Sequence, residues 1–280
     1  MFRPSCLLTA LLVASCAPQA PVEMPRAAVE VQSNAPAKPE VAAPSAAPAP
    51  APVAEAPAHP ASAPQVIRTT LNGISVTAVV FDSRTHRLAI ADQAGGPGSQ
   101  WPDAASAARS LGGVAAVNAG FFTPEGKPLG LVVTGGKKIS PLNRASSLGA
   151  GLFIGGTSPA LLRRGQATSS PEVLQSGPFL VENGRVVSGL SPDSSTARTV
   201  LGWDGGSGWF IARTGGCSLA GLGHALAGAE IRGVKARTVL NLDGGRSSDL
   251  WVSSTVSGGP VSERPFWNKP VRNFLVLVPR

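Results

Sequence analysis

Between two short apolar runs, Thr238–Leu240 and Leu250–Val252, the chain carries Asn241, Leu242, Asp243, Gly244 and Gly245. Strand alternation places Val239, Asn241 and Asp243 on one side and Leu240 and Leu242 on the other. An amide and a carboxylate then point the same way at the end of a strand. Two glycines beside them allow a ligand or another backbone to come close. A carboxylate there could serve as nucleophile, base or oxygen ligand, and the amide can both donate and accept hydrogen bonds. The same residues also fit an ordinary β-turn whose Asp bonds nearby backbone N–H groups, and the local pattern leaves both readings open.

Other chemistries find little support. The glycines at 130, 135 and 136 lack P-loop spacing, and no serine sits in a G-x-S-x-G elbow. The three histidines, His59, His86 and His224, form no paired zinc motif and fall in a linker, a turn and a helix. The net charge of +8 comes without a Lys/Arg run or a basic helix with interleaved aromatics. A nucleic-acid partner is therefore not expected, whereas a basic cleft for an acidic substrate is compatible with the charge.

The N-terminus reads as targeting rather than fold. Arg3 precedes an apolar run, Leu7–Val13, that ends in Ala14, Ser15 and Cys16. The run is too short for a stable transmembrane helix and fits a secretory signal over residues 1–15. Val13-Ala14-Ser15-Cys16 resembles the lipobox of bacterial lipoproteins, which implies cleavage before Cys16, acylation of that cysteine and a membrane tether. Ala17 lacks the acidic character that holds lipoproteins at an inner membrane, so an outer membrane is preferred. Residues 16–65 are dominated by Ala, Pro, Val, Ser and Glu, with too little apolar bulk to offset the entropy of ordering, and read as an extended linker. Cys6 leaves with the signal and Cys16 takes lipid, so Cys217 has no disulfide partner. It reads as a small buried filler.

Residues 66–280 make one domain. Strands are expected over 65–81 and 87–91, then as successive hairpins, the clearest turning at Asn183-Gly184. Helices are expected over 99–111 and 218–229, the second capped by Ser218. Thr238–Val252 reads as strand, tight turn, strand, and 271–278 as the last strand. These elements predict an α+β domain: a twisted, largely antiparallel sheet with flanking helices.

Five separated pieces share a further pattern: Asn118-Ala119-Gly120-Phe121-Phe122; Gly130-Leu131-Val132-Val133; Gln175-Ser176-Gly177-Pro178-Phe179-Leu180; Ala197-Arg198-Thr199 with Gly202; and Asn241-Leu242-Asp243-Gly244-Gly245 with Ser247-Ser248. In this order they resemble the phosphodiester glycosidase family over about residues 70–280. The chain departs from the family at Arg246, where a third glycine is usual. The disulfides of animal members cannot form here.

The resemblance implies hydrolysis of a sugar C1–O–phosphate linkage. A phosphate monoester leaves far more readily than a sugar alkoxide, so one carboxylate could suffice where ordinary glycosidases use two. Asp243 is the candidate carboxylate and Arg198 the candidate phosphate holder, able to grip two oxygens in parallel. Candidate substrate contacts are Asn118, Gly120, Asn241, Gly244, Gly245, Arg246, Ser247, Ser248 and Arg272, with the glycine N–H groups available to an anion. No cofactor is required, although Asp243 with Asn118 or Asn241 could hold a hard cation such as Ca²⁺ or Mg²⁺. The expected substrate is a glycan or glycolipid of the bacterial cell envelope bearing a sugar phosphodiester. Two rival readings are a non-catalytic glycan-binding lipoprotein and a glycosidase acting on exopolysaccharide.

Overall fold

A computed structural model describes residues 62–166 and 169–280 of the chain. Cys16, the signal segment and nearly all of the linker lie outside the described residues. Among the described residues the chain forms nineteen strands in four antiparallel sheets and only two short α-helices, Ala104–Ser110 (α1) and Leu219–Leu226 (α2). The domain is therefore mostly β and not the α+β arrangement expected above. The hairpins were legible, but they are divided among several sheets, and the helices reach only 7 and 8 residues. The helix expected over 99–111 starts late because Asp103, extended at φ −158°, is its N-cap and accepts from Ser106 N. Ser218 caps α2 as expected, accepting from Gly221 N.

The largest sheet has seven strands in the spatial order Gln65–Leu71, Ile74–Asp82, Gly208–Thr214, Thr199–Trp203, Thr238–Asn241, Phe179–Glu182 and Arg185–Val186. A second sheet orders Val261–Glu263, Leu250–Val252, Ala115–Asn118, Asn273–Pro279 and His86–Asp92. A third orders Lys137–Ser140, Val132–Thr134, Val173–Ser176, Gly151–Ile154 and Ala160–Arg163. Glu230–Ile231 and Val234–Lys235 form a small hairpin. Asn183 and Gly184, at φ 51° and 76°, make the tight turn their sequence demands.

The strands of the first two sheets are apolar on both faces, and the alternation sorts those faces between different cores. Val79, Phe81, Leu201, Ile211, Leu240 and Leu242 face inward with Leu88, Ile90, Val117, Leu250, Leu275 and Leu277 of the second sheet; Val132, Phe153 and Leu174 of the third sheet join the same cluster. The opposite face of the seven-stranded sheet, including Val80, Val200, Phe210 and Val239, packs on Leu222 and Leu226 of α2. The opposite face of the second sheet, including Ala89, Ala116, Phe274 and Val276, takes Ala104, Ala107 and Ala108 of α1. At about 25 cal/mol per Å² of apolar surface removed from water, this burial is the main favourable term for the fold.

Strand pairing also decides what the Asp243 segment is. Thr238–Asn241 pairs with strands of the seven-stranded sheet, whereas Leu250–Val252 pairs with Ala115–Asn118 and Val261–Glu263 in the second. The two runs are not a hairpin: the Asp243 segment carries the chain from one sheet to the other.

Gly202 sits opposite Phe210, and a Cβ at position 202 would overlap the Phe210 ring, which is fully buried. Gly202→Ala is expected to lower stability by about 1–3 kcal/mol through overpacking. Equilibrium urea denaturation checks this, and an unchanged midpoint would show that the ring has room to move.

Candidate functional site

The crossover is held in place by Asn118, at the end of its strand and fully buried. Its Oδ1 accepts from Thr199 Oγ1 at 2.7 Å and from Asp249 N at 3.1 Å, while its Nδ2 donates to the Asp243 carbonyl at 2.6 Å. One carboxamide thus ties both sheets and both ends of the crossover. Asp243 N also donates to Ala119 O at 2.9 Å.

These bonds fix Asp243 where a strand has just ended. Its side chain is half-buried and accepts from Gly244 N at 2.9 Å. Burial raises the pKa of this carboxyl above the ordinary carboxylate value, with the Ser247 and Gly244 hydrogen bonds opposing the rise. Gly245 has φ +61° and opens a single 3₁₀ turn, Gly245–Ser247, that leads into the second sheet. Gly244 meets the neighbouring loop closely: a Cβ there would lie 3.0 Å from Ala197 O and 3.6 Å from Arg198 Cδ. Close backbone approach is therefore the role these glycines fill. Their N–H groups are engaged, Gly244 N with Asp243 and Gly245 N with Ala197 O.

Asn118, Asp243, Gly244, Gly245, Ser247, Ser248 and the Arg198 backbone come together at this crossover. Ser248 Oγ is 3.3 Å from both Thr199 Oγ1 and Ala197 O. The half-buried Arg198 guanidinium donates through Nε to Cys217 O and through Nη2 to Ser194 O, at 3.1 and 2.7 Å, and Nη1 has no partner among the described residues. Burial lowers its pKa, partly offset by Cys217, whose own pKa burial raises. Arg246 is exposed, with Nε donating to Trp267 O at 3.1 Å.

Three other candidates have different surroundings. Asn241 directs Nδ2 to Gly177 O at 3.1 Å, on the α2 side of its strand, and its buried Oδ1 has no partner among the described residues. Gly120 N donates to Asn273 Oδ1 at 2.8 Å. Arg272, 8% exposed, forms a paired contact with the 2% exposed Asp92 carboxylate at 3.0 and 2.8 Å and also bonds Gly126 O. It braces the end of the second sheet.

Sequence reasoning missed several neighbours. Asp249, directly after Ser247-Ser248, is buried and accepts from Ala104 N at 2.9 Å, so it ties the crossover to the start of α1; burial raises its pKa. The fully buried Asn273 holds Gly120, while its Nδ2 has no partner among the described residues. Arg213, opposite Thr199, contacts Glu263 at 3.5 Å, and its buried Nε has no partner among the described residues. Only the position of Asp249 beside the serines was a signal; the others depend on pairing between distant strands. Among the described residues no three His, Cys, Asp or Glu side chains group as a metal site.

A family model described as phosphodiester glycosidase matches residues 112–278, from the strand that ends in Asn118 to the last strand. The chain belongs to the phosphodiester glycosidase family. Two solved structures share the fold. The auto-inhibited catalytic domain of zebrafish N-acetylglucosamine-1-phosphodiester alpha-N-acetylglucosaminidase is 16% identical, with 78% of this chain and 82% of that one covered and a TM-score of 0.56. A hypothetical protein from Synechocystis is also 16% identical, with 80% and 64% covered and a TM-score of 0.54. No curated protein matches the chain by sequence.

The geometry sets two expectations for stability. Arg272→Ala would leave Asp92 buried without its partner and should cost about 3–5 kcal/mol of stability in urea denaturation. An unaffected midpoint would remove the bracing role. For Asp243, the folded carboxyl has the higher pKa, so the native state binds more protons than the unfolded chain between the ordinary and the raised value, and stability falls as pH rises through that window. Asp243→Asn cannot ionise. Its stability relative to the parent should rise as pH increases from about 4, which parallel denaturation series will show; a pH-independent difference would contradict the raised pKa.

Proposed function

We propose that the chain hydrolyses a sugar-1-phosphodiester in an envelope glycan or glycolipid, with Asp243 as the working carboxylate. The observation that carries this reading is a half-buried carboxylate of raised pKa at the crossover between two sheets, with Arg198 beside the adjoining glycine. Family membership supports the class of bond.

A raised pKa makes a carboxylate a better proton acceptor near neutral pH, which favours the role of general base. Asp243 takes a proton from water, the water oxygen bonds to C1 of the sugar, and the C1–O bond breaks. The bond electrons leave with the phosphate monoester, whose low basicity removes the need for a strong general acid. Arg198 Nη1 is the group available to meet the phosphate charge. Ser247 and the Gly244 N–H keep the carboxylate oriented. A resident divalent cation is not required by this scheme.

In this proposal, cleavage before Cys16, acylation there and a Pro/Ala-rich tether would hold the domain in the bacterial envelope, periplasmic or at the outer membrane.

The test is hydrolysis of a chromogenic sugar phosphodiester. Asp243→Asn should lower kcat by about 10²–10⁴-fold while circular dichroism shows the fold retained, and the products should be a reducing sugar and a phosphate monoester. Full activity in that variant removes Asp243 from the mechanism.

A further inference from the structure

Phe266 and Trp267, 102% and 63% exposed, are the large apolar side chains left in solvent among the described residues. They occupy the two central positions of a turn closed by Asn268 N donating to Pro265 O at 3.0 Å. Exposed turn tips ordinarily carry small polar residues. Two adjacent rings, each with about 150–250 Å² to remove from water, are costly at a tip unless something covers them. The shoulders of the turn are basic: Arg246, Arg264 and Lys269 are all exposed. The carboxylates flanking this rim are already matched, Asp103 by Arg264 at 3.2 Å and Glu263 by Arg213 at 3.5 Å. Rings at a tip with cations at its shoulders suit the boundary of an anionic bilayer. There the rings enter the upper acyl region while guanidinium and ammonium groups meet lipid phosphates.

The turn is fastened to the crossover. Arg246 Nε donates to Trp267 O at 3.1 Å, Lys269 N to Arg246 O at 3.0 Å and Asn268 Nδ2 to Ser248 O at 3.3 Å. From the other side Arg264 donates to Asn268 Oδ1 at 2.7 Å. Because these bonds hold the turn before any contact is made, docking gives up little conformational entropy. They also join the turn to the loop that carries Asp243, so a docked turn holds that loop beside the lipid headgroups.

We propose that the Phe266–Trp267 turn docks on an anionic lipid bilayer and holds the crossover at headgroup level. A tether at Cys16 would limit only how far the domain strays from a membrane, whereas the turn sets which face meets it. The docking stands on the exposed rings and cations alone. Its consequence for the substrate rests on the proposed function: it narrows the substrate to a sugar phosphodiester whose second ester is a membrane lipid.

The test uses the full chain carrying Cys16→Ser, so that no acyl chain attaches it to vesicles; the apolar run Leu7–Val13 is common to every variant. Phosphatidylglycerol vesicles with brominated acyl chains should quench its tryptophan fluorescence. Trp267→Phe should remove most of that quenching, because Trp101, Trp203, Trp209 and Trp251 are packed into the fold. Brominated phosphatidylcholine vesicles should need about tenfold more lipid to quench Trp267 by half, since the cations then lose their counter-charge. Phe266→Ser with Trp267→Ser should lower kcat/KM about tenfold for N-acetylglucosamine 1-phosphate esterified to dioleoylglycerol in phosphatidylglycerol vesicles, through loss of the buried ring area. The same variant should hydrolyse the soluble chromogenic phosphodiester as the parent does. Quenching that is absent, or that survives Trp267→Phe undiminished, overturns the docking. So does Trp267-dependent self-association in sedimentation without quenching, which would mark a second copy of the chain as the partner. Docking with the same change, or none, for both substrates removes the lipid-borne substrate. Hydrolysis of neither substrate by the parent, with Trp267 still quenched, removes the catalytic reading and leaves the docking standing.

Discussion

The carboxamide of Asn118 is the interaction on which the rest depends. A chain that leaves the seven-stranded sheet at Asn241 and enters the second at Leu250 has few residues in which to satisfy its backbone groups. Inside a core, each group left unpaired costs about 1–3 kcal/mol. Asn118 resolves much of this with one side chain, accepting from Thr199 and Asp249 and donating to the Asp243 carbonyl. An aspartate could not donate and a leucine could do neither. With the backbone fixed, the half-buried Asp243 side chain is held at the edge of the core, where burial raises its pKa.

The crossover also explains why the surrounding residues are small. Gly244 and Gly245 let the loop touch Ala197, and Ser247 and Ser248 provide hydroxyls within and just after a single 3₁₀ turn. Asp249 then anchors the exit to α1. The polar groups of the segment are matched by neighbours from distant stretches of chain. This gives the site a geometry set by both sheets rather than by a flexible loop. Arg246 fits this picture: its side chain bonds the Trp267 carbonyl and braces the aromatic turn.

Much of this was legible in the sequence, and the rest was hidden for identifiable reasons. Asn183-Gly184 announced a tight turn and Ser218 a helix cap because both are local chemistry. Alternation correctly separated Val239 from Leu240 and Leu242. It could not say which sheet each strand joins. Strands apolar on both faces carry no preferred neighbour, so four sheets read as one and the balance of helix and strand was misjudged. Arg272 looked like a free cation, yet Asp92, 180 residues earlier, occupies it. The bonds of Arg198 to Ser194 and Cys217 were equally invisible, since they depend on how a loop folds back.

The central claim is positional: the substrate's anomeric carbon lies against residue 243 at the crossover. A groove of about 460 Å³ lies elsewhere, lined by Arg163, Glu182, Trp203 and Arg237 at the far end of the seven-stranded sheet. The most direct measurement is a crystal structure of the Asp243→Asn variant soaked with a sugar 1-phosphodiester. The account predicts density with C1 beside the substituted side chain at position 243 and a phosphate oxygen at Arg198 Nη1. Density in the Trp203 groove, with the crossover unoccupied, would contradict it.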